Sequence, residues 1–265
     1  MKNIVRIMIF VIVVMSIWYM VQKQWHKQTN QQHISKHVTQ ENTMSNNNHP
    51  IITPIKHASF ILNWDNTVLY ADPVGGMKAY QDHPAPNIII LTDIHSDHLS
   101  VETLEAVAKE NTTIIAPQAV ADQLPESLKM NIHVMANGEV FDYQKFQITA
   151  IPMYNLTESD NVYHPKGRGN GYVIEHQNKR VYISGDTAGI PEMRALKDID
   201  IAFVCMNFPY TMDINAAAEA VLEFKPKQVI PYHYRGTDGL SDVDKFKEIV
   251  TQANPQIDVE LLTWY

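Results

Sequence analysis

The sequence predicts an α/β fold whose two halves pack face to face. Three observations lead there. Short apolar runs of strand length alternate with helix-length segments along most of the chain. The strands form two series, each with helices interleaved. Three separate strands end in residues that suit a metal ion, which implies a site shared by both series.

The first series places strands near 55–62, 67–72, 87–92, 112–116, 132–135 and 145–151, and the second near 171–176, 179–184, 200–205, 227–231 and 257–262. Helices are expected at 100–110, 117–124, 190–197, 213–224 and 241–253. Ser100, Asp213 and Ser241 stand where N-caps are needed, since their oxygens can accept from the free N–H groups of the first turn. Asn66 and Asn178 fall between paired strands and read as hairpin turns.

The strand Ile88-Ile89-Ile90-Leu91 is apolar on both faces, as a fully buried strand is. It runs into Thr92-Asp93-Ile94-His95-Ser96-Asp97-His98, which holds four candidate metal ligands within six residues. Core packing has no use for two His and two Asp there. The strand Val181-Tyr182-Ile183 leads into Ser184-Gly185-Asp186, and Val229-Ile230-Pro231-Tyr232 ends in His233. One His at a strand end is ordinary loop polarity. Three such ends in order point to one metal centre of imidazole and carboxylate ligands.

The chain has 265 residues, 45% of them hydrophobic, enough for one sizeable core. Its formal charge of −8 gives no basic footprint for nucleic acid, and no nucleic-acid partner is expected. Residues 7–21 are apolar except for Ser16, follow Lys2 and Arg6, and read as a signal segment or membrane anchor. No small-x-small cleavage site follows, and Trp18, Tyr19 and Trp25 suit a membrane interface. The expectation is an exported, membrane-anchored protein, or a secreted one if 1–21 is cleaved. Residues 22–50 are polar and read as a flexible tether, with His26, His33, His37 and His49 scattered in it. The folded domain is expected over 51–265. Cys205 lies within an apolar strand and reads as a small buried hydrophobe.

These motifs resemble the metallo-β-lactamase superfamily, whose signature is His-x-His-x-Asp-His followed by a His, a Gly-Asp and a last His. Asp93-Ile94-His95-Ser96-Asp97-His98 matches, with Asp93 where the first His is usual. Ser184-Gly185-Asp186-Thr187 and Pro231-Tyr232-His233-Tyr234 match the later motifs. Lys56-His57-Ala58-Ser59-Phe60 and Ala71-Asp72-Pro73-Val74 resemble the opening strands of the lactonase and phospholipase-D-like branch. The resemblance implies an αββα sandwich of two mixed sheets flanked by helices, with the metal at the open edge between them. It assigns Asp93 and His95 to one ion, Asp97, His98 and His233 to a second, and Asp186 as the bridge. The downstream His is expected where Asn155 stands, and His164 lies nearby. Either His164 is the missing ligand, Asn155 coordinates through oxygen, or the first position is incomplete.

The resemblance implies a hydrolase with one or two divalent ions per chain, zinc first, with manganese or iron made credible by the oxygen-rich ligand set. A metal-activated water would attack an ester, lactone or phosphodiester in a small-molecule substrate, with Asp97 positioning it or taking its proton. Lys166 and Arg168, in a Gly-rich loop, are candidates to hold a substrate carboxylate or phosphate, or else mark a solvated turn. Tyr154, Tyr210 and Tyr234 flank ligand runs, and His57 either reaches the rim of the site or is structural. Asp72 is expected to brace the ligand turn rather than bind metal. The competing reading is a non-catalytic or single-metal binding protein that keeps the fold.

Overall fold

The computed structural model describes Trp18, Gln22, Lys23, residues 49–157 and residues 162–265. Pro50–Tyr265 forms one compact unit. Its first sheet has six strands in sequence order: β1 Ile51–Lys56, β2 Ser59–Trp64, β3 Thr67–Ala71, β4 Ile88–Ile90, β5 Thr113–Ala116 and β6 Ile132–Val134. β1, β2 and β3 form an antiparallel meander, and β3 to β6 run parallel. Between β4 and β6 lie helices α1 Val101–Val107, α2 Gln118–Ala121 and α3 Glu126–Lys129.

The second sheet draws on β7 Val140–Tyr143, β8 Phe146–Met153, β9 Gly169–His176, β10 Lys179–Ile183, β11 Ile201–Cys205, β12 Gln228–Tyr232 and β15 Asp258–Val259. Its strand order is 15-12-11-10-9-8-7, antiparallel from β7 to β10 and parallel from β10 to β15. A two-stranded ribbon, β13 Arg235–Gly236 with β14 Gly239–Leu240, follows β12. Helices α4 Pro191–Arg194, α5 Ile214–Phe224 and α6 Val243–Ala253 complete the unit.

The alternation of side chains along each strand builds the layers. Phe60, Leu62 and Trp64 of β2, with Ile88 and Ile90 of β4, join the core shared with the second sheet. Ile61, Ile89 and Leu91 face the other way and pack with Leu104, Val107, Val120 and Leu128 of the three flanking helices. Between the sheets, Phe60 stacks on Phe203 with ring centroids 4.1 Å apart, an aromatic pair worth about 0.5–1.5 kcal/mol beyond its area burial. Ala217, Ala218, Val221 and Phe224 seat α5 on the second sheet's core. The result is the αββα sandwich.

Local chemistry fixes the boundaries. The Ser100 side chain accepts from the Thr103 N–H and Asp213 from the Ala216 N–H, as expected of N-caps. At α6 the cap is Asp242, which accepts from the Lys245 N–H, rather than its neighbour Ser241. Asp65 and Asn66, and again Gln177 and Asn178, take positive φ, the geometry of tight two-residue hairpin turns. The single strand expected at 55–62 is instead a hairpin, because His57 at φ 58° reverses the chain between β1 and β2. β7 was not expected at all. Its half-exposed, partly charged face carries too little apolar pattern.

The anchor reading of 1–21 is corrected. No helix among the described residues is long and apolar enough to cross a membrane. The apolar run, broken at Ser16, falls short of the ~20 residues a bilayer needs. Most of 1–21 and of the polar stretch 22–50, including His26, His33 and His37, lies outside the described residues.

Candidate metal centre

Each ligand-bearing turn sits at the end of a buried strand, along the edge where the two sheets meet. After β4, Thr92 donates twice to Asp72, from its N–H to Oδ1 at 2.8 Å and from its hydroxyl to Oδ2 at 2.6 Å. The turn is clamped to the second sheet as well. Asn170 N–H donates to the Thr92 carbonyl at 3.0 Å, and the Tyr172 hydroxyl to the Leu91 carbonyl at 2.9 Å. After β10 the chain turns sharply at Gly185, φ 61°, where any side chain would collide with the Met153 sulfur. Only glycine fits that conformation and that contact, and the turn aims Asp186 into the gap. After β12, His233 itself adopts φ 47°. Asp72 and His57 are also left-handed, at φ 41° and 58°, so three strained non-glycine residues border the cluster.

The turns deliver two groups of ligand atoms. In the first, His95 Nδ1 is 2.7 Å from Asp93 Oδ2. His164 Nε2 is 3.9 Å from Asp93 Oδ2 and 3.2 Å from Asp186 Oδ2. In the second, His98 Nε2 and His233 Nε2 are 3.1 Å apart. His98 Nε2 lies 3.3 Å from Asp186 Oδ2, and His233 Nε2 lies 3.1 Å from Asp186 Oδ1 and 3.4 Å from Asp97 Oδ2. Ligand atoms held about 2.0–2.1 Å from a tetrahedral ion stand roughly 3.3–3.4 Å from one another. The second group's spacings come close to that, whereas the 2.7 Å between Asp93 and His95 is a hydrogen-bond distance that an ion would have to open. Asp186 stands between the groups, with Oδ2 near both His164 and His98 and Oδ1 near His233. Among the described residues, buried His164 Nε2 and Asp186 Oδ1 make no well-aligned hydrogen bond, only the close contacts within the cluster, as suits atoms that serve as ligands.

His164 and Asn155 resolve together. His164 reaches the cluster, whereas Asn155 stays behind it. The Asn155 side-chain oxygen meets His164 Nδ1 at 3.1 Å and accepts from the His164 N–H at 2.9 Å. Its amide donates to the Tyr210 carbonyl at 2.9 Å. Asn155 thus fixes the ring so that Nε2 faces Asp93 and Asp186. Asp72 does the same for His98, meeting Nδ1 at 2.9 Å.

Electrostatics follow from burial and these partners. Burial opposes the charge on His98, but the Asp186 and Asp72 carboxylates outweigh it and hold His98 well above the ordinary imidazole value. Burial wins at His233, whose value falls, helped by the positive fields of His98 and His57. Asp186 is buried too, yet His233 and His98 keep it well below the usual carboxylate range. Burial also opposes the charge on Asp97 and Asp93. The His57 hydrogen bond and the charges on His98 and His233 outweigh it at Asp97, and His95, His98 and Arg168 do so at Asp93.

The two loop cations are both engaged. Arg168 grips Asp93 with two hydrogen bonds, Nε to Oδ1 at 3.1 Å and Nη2 to Oδ2 at 3.0 Å. Lys166 pairs with Glu192 at 3.1 Å. A cavity of about 270 Å³ opens onto the cluster, bounded by His95, Asp97, Tyr163, His164, Asp186, Asn207 and Tyr210. Asn207 was not singled out in the sequence, although it lies two residues past the end of the apolar strand β11. Its amide nitrogen lies 3.3 Å from His233 Nε2, and the Thr211 hydroxyl donates to its oxygen. Of the three tyrosines, Tyr210 borders the cavity, Tyr154 hydrogen-bonds Glu192, and Tyr234 packs on Tyr265.

An αββα sandwich with paired His and Asp ligand groups at its open edge defines a metal-dependent hydrolase fold. The model of the beta-lactamase superfamily domain matches residues 51–233. A UPF0173 metal-dependent hydrolase of Staphylococcus carnosus is 30% identical, the match covering 64% of this chain and 77% of the relative. One from Desulforamulus reducens is 30% identical over 78% of this chain and 95% of the relative. Among solved structures, a protein from Parabacteroides distasonis described as a metal-dependent hydrolase superposes with TM-score 0.71 at 39% identity, covering 80% of this chain and 92% of that one. Igni18, a metallo hydrolase from Ignicoccus hospitalis, shares the fold at TM-score 0.67 and 20% identity. The chain belongs to the beta-lactamase superfamily and, within it, to the UPF0173 metal-dependent hydrolases. It is a metal-dependent enzyme. The relatives are described as metal-dependent hydrolases and no helix among the described residues is long and apolar enough to cross a membrane, so the membrane-anchored, exported reading is not retained.

Proposed function

We propose that the chain hydrolyses an ester, lactone or phosphodiester bond in a small-molecule substrate. The observation that carries this reading is the convergence of Asp93, His95 and His164 in one group and of His98, Asp186 and His233 in another, with Asp97 3.4 Å from His233. The second group's spacing suits zinc, and the mixture of carboxylate oxygens and imidazole nitrogens also suits manganese or iron. When bound, the ions supply Lewis acidity, lowering the pKa of a water and polarising the bond to be broken.

The chain's own groups do the rest. Asp97, its side chain 38% exposed and held by His57 Nε2 at 3.2 Å, is placed to orient the attacking water and take its proton. Asn207, fixed by Thr211, is placed to donate its amide to an oxygen that gains charge during attack. Arg168 sets the Asp93 carboxylate rather than meeting substrate. Cys205 is no competing nucleophile, since burial pushes its thiol up to about 11. The catalytic domain is proposed to span 51–265.

A second reading, one firmly held ion in the His98 group, draws on Arg168, which already occupies both Asp93 oxygens. Elemental analysis of untagged full-length protein separates the two. Two ions per chain, with ester or phosphodiester turnover lost on chelation and regained with zinc, manganese or iron, is the expected outcome. One ion and no turnover on either class would leave the binding-protein reading standing instead.

A further inference from the structure

A second cavity, about 550 Å³, adjoins the metal centre on the far side of Asp97. It shares His57 and Asp97 with the cluster, and its walls also carry Lys56 and Arg235. Neither cation has a carboxylate within salt-bridge distance among the described residues, in a chain with eight more acidic than basic side chains. The loop cations contrast with them, since Arg168 and Lys166 are both spent on carboxylates.

Arg235 is not loose. Its guanidinium lies over the Tyr265 ring, 4.3 Å from the centroid, a contact that orients the planar group while leaving its donors unused. The Tyr265 hydroxyl hydrogen-bonds His57 Nδ1 at 2.7 Å, and His57 Nε2 holds Asp97 Oδ2 at 3.2 Å. Opposite, the Lys56 stem crosses Gly75, where a Cβ would come within 4.0 Å of its Cδ. A continuous chain of contacts therefore runs from an unpaired guanidinium to a candidate ligand of the metal centre. Among the described residues lining the cavity, the one carboxylate side chain, Asp97, is already claimed by His57 and His233.

We propose that this cavity is a subsite for an anionic group of the substrate, a carboxylate or a phosphate, bound by Arg235 and Lys56 while the scissile bond lies over the cluster. The proposal rests on the hydrolytic reading for its orientation but not for its binding chemistry. A guanidinium offers a carboxylate or phosphate two parallel donors, and Lys56 adds a point charge.

The test uses full-length, zinc-loaded protein and compares wild type with Arg235→Ala, Arg235→Lys and Lys56→Gln. Lys247→Ala, on the exposed face of α6, controls for net charge. Calorimetric titration with succinate and with inorganic phosphate distinguishes the two anion types. At least a tenfold loss of affinity for one of them in Arg235→Ala is expected, with a smaller loss in Arg235→Lys and none in Lys247→Ala. In parallel, the kcat/KM ratio of 4-nitrophenyl hemisuccinate to 4-nitrophenyl acetate should fall by a similar factor, through KM. Equal affinities in wild type, Arg235→Ala and Lys56→Gln would overturn the subsite. Arg235-dependent binding without turnover of any ester would leave the subsite intact and reject the hydrolytic reading.

Discussion

The two halves of the candidate metal cluster offer similar atoms and similar burial but are supported differently. Each pairs two buried residues with one that is over a third exposed, Asp97 at 38% and His95 at 37%. In the Asp97–His98–His233 half, His98 is braced by Asp72, which is itself fixed by two hydrogen bonds from Thr92. In the Asp93–His95–His164 half, Asp93 is shared with Arg168, and His164 hangs on a loop held by Asn155. The lesson is that ligand type alone does not set a site. Rigidity is built by what stands behind each ligand, and here it is concentrated on one side.

The widest test of this asymmetry removes the shared residue. Asp186→Ala should strip ions from both halves and lower turnover by more than the ~100-fold that loss of an outer partner gives. A variant that keeps two ions per chain would show that Asp186 does not bridge. Next, Asp72→Asn should weaken the His98 half by about 10–100-fold in metal affinity, whereas Asn155→Ala should weaken only the His164 half, toward the low end of that range. Competition titrations against a chelator would resolve two classes of ion, and equal losses in both variants would erase the distinction drawn here. The smallest effect is expected at Arg168. Arg168→Gln should destabilise the metal-free protein by about 1–3 kcal/mol, because it deprives a buried carboxylate of charged hydrogen bonds. The same change should tighten ion binding in the His164 half by freeing both Asp93 oxygens. Thermal melting with and without zinc reads both, and a variant with weakened zinc binding would mean that Arg168 supports the site instead of competing for it.

The places of Asp93, Asp186 and His233 were readable in the sequence because they closely follow the buried strands β4, β10 and β12, and a strand end fixes where a side chain goes. The sandwich was readable for the same reason, since two-faced apolar runs such as Ile88–Ile90 leave few alternatives. What was not readable depends on contacts between distant loops. His164 was named as a candidate from its place in the sequence, but that Asn155 stands behind it and orients its ring depends on a loop of irregular geometry that no periodicity encodes. Arg235 and Tyr265 meet His57 only because β12 and β1 end at the same edge of the sandwich. The hairpin at His57 escaped notice because a left-handed histidine carries none of the glycine or asparagine signals of a turn.

The candidate ligands come from both sheets: Asp93, His95, Asp97 and His98 follow β4 of the first, and Asp186 and His233 follow β10 and β12 of the second. An ion held between them would act as a cross-link in a chain whose one cysteine is buried and unpaired. Unlike a disulfide, it would act through the folded state alone, because the site is assembled only when both sheets are in place, so its binding energy adds to the stability of the fold. Metal supply would then govern how long the protein survives as well as how fast it works.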